Sequence, residues 1–211
     1  KRVVVSAGGT REPLDPVRFV GNRSSGRMGV ALAEEARRRG ADVTLLASNL
    51  QVPPPAGVDV VQAPTAADVA REALARADAD VVVMAAAVGD YRAAEQRADK
   101  RPKDGHPWRV ELVPTEDVAR TLGERKGDGV LVAFGAESGE EGLERKRAML
   151  DSKNADLVVY NDVGRDDVGF ESEDNEVVLI SRTGERRVPR APKREIAAEV
   201  LDEIERILEG R

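Results

Sequence analysis

The sequence predicts an α/β fold: a doubly wound, mainly parallel sheet of the Rossmann-like kind, with helices on both faces and a hairpin near the C-terminus. Two observations carry this expectation. Valine-rich runs such as Val3-Val4-Val5 and Val81-Val82-Val83 alternate along the chain with segments whose apolar residues recur at helical spacing. Several strand-like runs also end in small or polar residues: Gly8-Gly9-Thr10, Ala86-Ala87-Val88-Gly89-Asp90, Phe134-Gly135-Ala136-Glu137 and Asn161-Asp162. In a parallel sheet these ends share one edge, where open α/β sheets bind ligands.

In chain order, Val3 to Val5 opens the protein as a buried strand. Gly8 and Gly9 let the backbone turn with no Cβ in the way, and a long polar loop follows. A helix begins at Ser24-Ser25-Gly26, with Ser24 or Ser25 as N-cap, and its apolar side carries Met28, Val30, Ala31, Leu32 and Ala36. It stops at Gly40 behind Arg37-Arg38-Arg39. Residues 42–47 and 58–61 read as strands around a proline-rich turn. Thr65 then caps a helix to about Arg76, with Asp68 completing a capping box. Residues 80–88 form the most strongly buried strand by pattern. The polar segment 89–106 holds Asp90, Arg92, Arg97, Lys100, Arg101 and Lys103, and reads as a mobile lid, though composition alone favours a solvated charged loop.

Residues 108–113 alternate as a strand, 115–126 read as a capped helix, and 131–137 as a further strand. Residues 140–153 read as one amphipathic helix bearing Leu143, Met149 and Leu150, and 155–160 as a strand. An acidic loop, 169–175, leads into a hairpin with arms 176–181 and 185–188 about Thr183-Gly184. A last helix spans 193–208. No repeat or linker divides residues 1–211, so one domain is expected.

The 211 residues are 41% hydrophobic, 34% charged and 3% aromatic, which suits one full α/β core. No run reaches the roughly eighteen apolar residues of a membrane span, and no signal-peptide pattern is present, so a cytoplasmic protein without a membrane partner is expected. The absence of cysteine excludes disulfides, a thiolate nucleophile and a Cys-ligated zinc. A net charge of −6 argues against nucleic-acid binding, so an anionic ligand must be drawn by local clusters. Arginine outnumbers lysine 26 to 7, which makes the lysines conspicuous. His106, the sole histidine, reads as a surface residue and leaves no histidine-based triad.

The stretch from Ser6 to Gly29 reads as a nucleotide-phosphate site. A helix N-terminus presents unpaired N–H groups and the positive end of its dipole, and Arg11, Arg18, Arg23 and Arg27 add planar donors. It is not the G-x-G-x-x-G fingerprint, because a long insertion separates the two glycine clusters. On residues alone the chain is a nucleotide-binding α/β domain, with an ordinary strand-loop-helix connection as the bland alternative.

The order of residues is more specific. Gly-Gly-Thr-Arg-Glu-Pro-Leu-Asp-Pro-Val-Arg at 8–18, followed by Asn-Arg-Ser-Ser-Gly-Arg-Met-Gly at 22–29, closely resembles the start of the phosphopantothenate-cysteine ligase domain of the bacterial bifunctional coenzyme A biosynthesis family. The resemblance extends through Ala86-Ala87-Val88-Gly89-Asp90-Tyr91-Arg92, a lysine-bearing lid, Phe134-Gly135-Ala136-Glu137, Lys153-Asn154-Ala155-Asp156-Leu157, Asn161-Asp162-Val163 and 169–175. It implies a ligase joining 4'-phosphopantothenate and L-cysteine with CTP and Mg²⁺, through an acyl-cytidylate, with release of pyrophosphate and CMP.

The same resemblance implies that Asn22 holds the acyl-cytidylate and that Lys100 is the lid lysine neutralising phosphate charge. Gly8, Gly9, Ser24, Ser25 and Gly26 would cradle phosphates, with Thr10 and Arg18 in the same loop and Lys103 beside Lys100. Ala86 and Ala87 would shape the nucleotide pocket, Asp90 would meet the metal or the ribose, and Phe134 and Asn161 are further pocket candidates. A homodimer is implied, with 176–188 expected in its interface, no flavin on this domain, and a flavin-dependent decarboxylase domain upstream in a longer chain. Gly89, Pro102, Gly135 and Ser138 depart from the family pattern, and Gly89 and Pro102 put lid geometry in question. The rivals are an NAD(P)-dependent oxidoreductase, for which the chain lacks a Tyr-x-x-x-Lys pair, and a non-catalytic nucleotide-binding module.

Overall fold

Valine and other apolar runs become strands here because they are covered on both faces, which parallel sheets require. The structure, a computed structural model, describes residues 1–137, 139–162 and 174–211. β1 (Arg2–Gly8) is buried from Val3 onward. The segment after it is not a plain loop but a small hairpin of β2 (Arg11–Pro13) and β3 (Phe19–Gly21). Asp15 shapes its turn by accepting from the backbone N–H groups of Val17 and Arg18, each at 2.8 Å. Then come α1 (Arg27–Arg38), β4 (Asp42–Ser48), β5 (Asp59–Gln62), and α2 (Ala66–Leu74) with its Thr65/Asp68 capping box. β6 (Val81–Met84) is shorter than expected, because the chain beyond Met84 turns to meet the loop after β1 through a Gly9–Ala87 bridge.

A second small sheet pairs β7 (Tyr91–Ala93), inside the expected lid, with β8 (Leu112–Pro114). The strand expected at 108–113 is thus nearly absent. Trp108 is instead held between the guanidinium groups of Arg18 and Arg101, each 5.3 Å from its ring. α3 (Val118–Arg125), β9 (Val130–Glu137), α4 (Gly139–Arg147) and α5 (Met149–Ser152) follow, so the single helix expected over 140–153 is interrupted at Ala148. β10 (Leu157–Asp162), β11 (Asp174–Ser181), β12 (Gly184–Pro192) and α6 (Lys193–Glu209) complete the chain. The expected acidic loop lies outside the described residues except for Asp174 and Asn175, which open β11.

The main sheet runs β12-β11-β10-β9-β6-β1-β4-β5. β5, β4, β1, β6, β9 and β10 are parallel, and β11 and β12 add an antiparallel hairpin. Counted in chain order, the parallel strands read 3-2-1-4-5-6, so the direction of winding reverses between β1 and β6. α1 and α6 pack on one face, where Val3, Val5, Val83, Val132 and Val159 meet Leu32, Ala33, Ile196 and Val200. α2, α3 and α4–α5 cover the other face, where Val4, Val82, Leu131 and Tyr160 meet Val69, Leu122, Leu143 and Met149.

Arg39, just past the end of α1, ties that helix to α6. Its guanidinium meets Glu35 at 2.7 Å, Asp202 at 2.7 Å and Glu205 at 2.9 Å, and donates to the Ala198 carbonyl at 3.1 Å. Hydrogen bonds from Arg38, with Arg39 assisting against the effect of burial, hold the Glu35 carboxyl down from 4.5 to about 2. Because folding depresses this pKa, its stabilisation is complete above pH 4.5 and is lost as pH falls through 4.5 toward 2. The contribution is on the order of 2 kcal/mol once screening at the exposed Arg38 is allowed for. Urea unfolding measured from pH 7 down to pH 2 is expected to show this loss, and Glu35→Gln to flatten that part of the profile. An unchanged slope in the variant would remove Glu35 from the account.

Candidate functional site

The diverging crossovers at the β1/β6 switch point leave a crevice of about 540 Å³ at the carboxyl edge of the sheet. Its wall includes Asn22, Ser24, Ser25, Gly26, Ala86, Ala87, Asp90, Phe134 and Asn161 from the residues that the sequence singles out. It also includes Thr115, Asp117, Lys146, Lys153, Asn175 and Lys193, which were not assigned a site role.

Asn22 sits across the switch point. Its amide nitrogen donates to the carbonyls of Ala87 at 3.2 Å and Val88 at 3.3 Å. Only the NH₂ end can satisfy two carbonyls, so the Asn22 carbonyl oxygen is the end left to accept from a ligand. The loop that carries Ala87 is fixed in turn. Thr10, fully buried, donates its backbone N–H to the Ala87 carbonyl at 3.1 Å and accepts from the Gly89 N–H at 2.8 Å through its hydroxyl. The Thr115 hydroxyl donates to the Gly89 carbonyl at 2.6 Å. Gly89 is therefore buried and held at both its peptide groups.

The start of α1 differs from the sequence expectation. Its N-cap is Gly26, at φ 84°, and neither Ser24 nor Ser25 caps it. α2 and α3 are capped by Thr65 and Asp117, whereas α1 opens onto the crevice with no side-chain cap. An uncapped N-terminus keeps its N–H groups available to an anion.

Several expected site residues do not line the crevice. A Cβ on Gly8 would lie 1.9 Å from the Ser48 carbonyl oxygen, and one on Gly9 would lie 2.6 Å from that of Asn22. These glycines allow close backbone approach, at φ 94° for Gly8, and neither lies on the crevice wall. Arg18 turns away to Asp15 at 2.7 Å and to the Arg101 carbonyl. Burial alone would raise the Asp15 carboxyl, but the N–H donors of Val17, Arg18 and Arg101 and the Arg18 charge hold it below the usual carboxylate range. Lys100 and Lys103 are exposed and lie outside the wall, next to an Arg101 anchored by Asp15 and Trp108.

The positive charge of the crevice wall comes instead from Arg23 and Arg27 of the first loop and helix and from three of the seven lysines. Lys146 lies across Gly135, where a Cβ would meet its Cδ at 2.4 Å, and reaches Glu137 at 3.3 Å. Burial would raise the Glu137 carboxyl, but Arg145 and Lys146 hold it below the usual range. Lys153 meets Asp117 at 3.3 Å, and Lys193, the first residue of α6, is 7% exposed. The scarcity of lysine was the one sequence signal for Lys146 and Lys193, and Lys153 also heads the Lys153-Asn154-Ala155-Asp156-Leu157 block. Among the described residues no cluster of three or more metal-ligating side chains occurs. Asp90 and Asp117 on the wall fit a Mg²⁺ carried in on a polyphosphate, which needs only one or two protein carboxylates.

A crevice at the switch point of a doubly wound sheet, edged by an uncapped helix N-terminus and three lysines, defines an α/β protein built to bind phosphorylated ligands. More narrowly, the chain belongs to the family described as DNA/pantothenate metabolism flavoprotein C-terminal domain, which matches residues 1–208. It is similar to the coenzyme A biosynthesis bifunctional protein CoaBC of Thermococcus kodakarensis, 41% identical over 213 residues, covering 99% of this chain and 52% of the relative. The corresponding protein of Mycolicibacterium smegmatis is 41% identical over 224 residues, covering 100% of this chain and 54% of the relative. The chain thus spans about half the length of these relatives. The crystal structure of the C-terminal domain of a coenzyme A biosynthesis bifunctional protein CoaBC superposes with a TM-score of 0.84 at 36% identity, covering 100% of this chain and 97% of that one.

Gly135→Ala should keep the fold, because the clash falls on the flexible end of Lys146 rather than on backbone. It should weaken nucleotide binding about fivefold by displacing that cation. Calorimetric titration with CTP beside a thermal melt checks both halves, and an unchanged affinity would remove Lys146 from the nucleotide contacts.

Proposed function

We propose that this chain is the phosphopantothenate-cysteine ligase domain of a longer coenzyme A biosynthesis protein, and that it uses CTP as its activating nucleotide. The observation that carries the reading is Asn22, pinned across the switch point on the Ala87 and Val88 carbonyls beside the uncapped start of α1. Family membership and the similarity to bifunctional coenzyme A biosynthesis proteins support it.

In this reading the phosphopantothenate carboxylate oxygen attacks the α-phosphorus of CTP. The bond to the β-phosphate oxygen breaks, and pyrophosphate leaves. The cysteine amine nitrogen then attacks the acyl carbon of the acyl-cytidylate. The acyl C–O bond breaks, CMP leaves and the amine loses a proton to give the amide. Asn22 orients the acyl-cytidylate through its carbonyl oxygen, and Lys146 and Lys153 hold the phosphates near the sheet edge. Bound with the nucleotide, Mg²⁺ would screen phosphate charge, and Asp90 and Asp117 would be the carboxylates that hold it. Lys100, exposed beside the anchored Arg101, enters as the lid closes, with the Arg18–Trp108–Arg101 stack as the fixed end of its swing.

Pyrophosphate release should require phosphopantothenate, CTP and Mg²⁺ together, with CMP freed rapidly only when cysteine is added. Lys100→Gln should lower kcat about a hundredfold. CTP binding without pyrophosphate release under any combination would leave a non-catalytic nucleotide-binding module instead.

We place self-association on the two small sheets rather than on the hairpin of β11 and β12. Val17, Phe19, Tyr91 and Leu112 are 61%, 50%, 54% and 42% exposed on adjoining hairpins that touch through β2 and β7. β12 instead carries ion pairs of Arg186, Arg187 and Arg190 with Glu199, Glu176 and Asp174. A second copy of the chain, bringing the same apolar patch, covers it in a two-fold dimer. Sedimentation should give a dimer for the native chain and a monomer for Val17→Glu combined with Leu112→Glu. A dimer that survives both charges would move the interface elsewhere.

A further inference from the structure

Asp15 offers more acceptor than its turn requires. Its side chain is fully buried, and its two oxygens serve different ends. Oδ1 accepts the backbone N–H groups of Val17 and Arg18, each at 2.8 Å, which is all that such a turn asks of an Asp, Asn or Ser. Oδ2 is turned to a different part of the chain. It meets Arg18 Nη1 at 2.7 Å and accepts the backbone N–H of Arg101 at 3.3 Å. With donors facing both oxygens, the position calls for a carboxylate, since an amide accepts at one end only.

Oδ2 closes a ring of hydrogen bonds on Arg101. The Arg18 guanidinium that it holds donates in turn to the Arg101 carbonyl, from Nη1 at 3.2 Å and from Nη2 at 3.1 Å. One carboxylate thus fixes Arg101 at both of its peptide groups, directly at the N–H and through Arg18 at the carbonyl. The Arg101 N–H belongs to the planar peptide that begins at the Lys100 carbonyl, so holding that plane sets the direction in which the chain leaves the Lys100 Cα. Farther back, the Arg97 N–H donates to the Leu14 carbonyl at 3.0 Å. Residues 98–100 are exposed between these two ties, and the tie beside Lys100 is the one that depends on Asp15.

We infer that Asp15 is a positioning residue for Lys100: its second carboxylate oxygen seats the Lys100–Arg101 peptide and so sets the point about which the lid lysine swings toward the phosphates. This rests on the ligase reading above, in which Lys100 neutralises phosphate charge. Asp15 lies off the crevice wall and acts through Arg18 and Arg101 rather than on a reactant. Displacing a charged group from its working position lowers rate more than binding when the charge that it meets develops in the transition state.

Asp15→Asn separates the two oxygens. The amide carbonyl can keep the Oδ1 contacts that form the turn, which leaves NH₂ facing the Arg18 and Arg101 donors, so the seat opens while the hairpin stays. Hydrogen exchange followed by mass spectrometry should then be faster over 97–104 and unchanged over 11–21. In the pyrophosphate-release assay kcat should fall about tenfold, with the KM values for CTP and phosphopantothenate within about twofold of native. Combined with Lys100→Gln, Asp15→Asn should cause no further loss, because the seat then has no lysine to position. An unchanged kcat, losses that multiply in the double variant, or native exchange over 97–104 would each overturn the assignment of Asp15 while leaving the ligase reading intact. Should circular dichroism show that asparagine disturbs the fold, Asp15→Ser takes its place in every arm, since a serine hydroxyl can accept within the same turn and is too short to reach Arg101. A native chain that releases no pyrophosphate would overturn the ligase reading itself, and this inference with it.

Discussion

The reversal of winding between β1 and β6 is the constraint on which the rest of the molecule depends. Crossovers that leave β1 for β4 and β6 for β9 diverge, and the gap between them cannot be filled by either set of helices. Close backbone approach around that gap is what the glycines supply: Gly8 against Ser48, and Gly9 against Asn22. Once the loop after β6 is drawn in to Gly9, Thr10 and Thr115 can clip Gly89 from both sides, and Asn22 can rest on the carbonyls of that same loop. The polar groups at the crevice are thus positioned by main-chain hydrogen bonds whose own geometry the sheet imposes.

Electrostatics follows the same division between structure and site. A chain of net charge −6 places cations at this crevice and holds two of them with neighbouring acids: Lys146 with Glu137 and Lys153 with Asp117. Such pairs keep long side chains in place at little cost, since partial exposure softens the attraction that an incoming polyphosphate must replace. The helices show a parallel economy. α2 and α3 satisfy their first N–H groups with Thr65 and Asp117, whereas α1, with glycine at the cap, and α6, with Pro192, reach the crevice without a side-chain cap.

Valine runs and the Thr65/Asp68 pattern made most of the parallel sheet and its helices legible in the sequence, because burial on two faces and helix capping are local signals. The two small hairpins were not legible. Their strands are three residues long, too short for alternation to register, and Trp108 alternates with its neighbours yet is taken out of any sheet by two arginines. Nor does a sequence say what fills the place of an absent Cβ. Gly8 and Gly9 look like ligand glycines and prove to face carbonyl oxygens of the chain itself, whereas Gly135, a departure from the family pattern, makes room for the stem of Lys146. Lys146, Lys153 and Lys193 come together from three separate elements, and no spacing in the chain records that meeting.

The stack of Arg18, Trp108 and Arg101 has a spectroscopic consequence. Trp108 is the only tryptophan in the chain, so all indole emission originates at the root of the segment that bears Lys100. Two cations against the ring, Arg18 with Asp15 as its counter-ion and Arg101 with Asp104, set a local field to which an indole excited state responds. The protein therefore carries a built-in optical reporter of how that segment is seated, readable without any label or added cysteine.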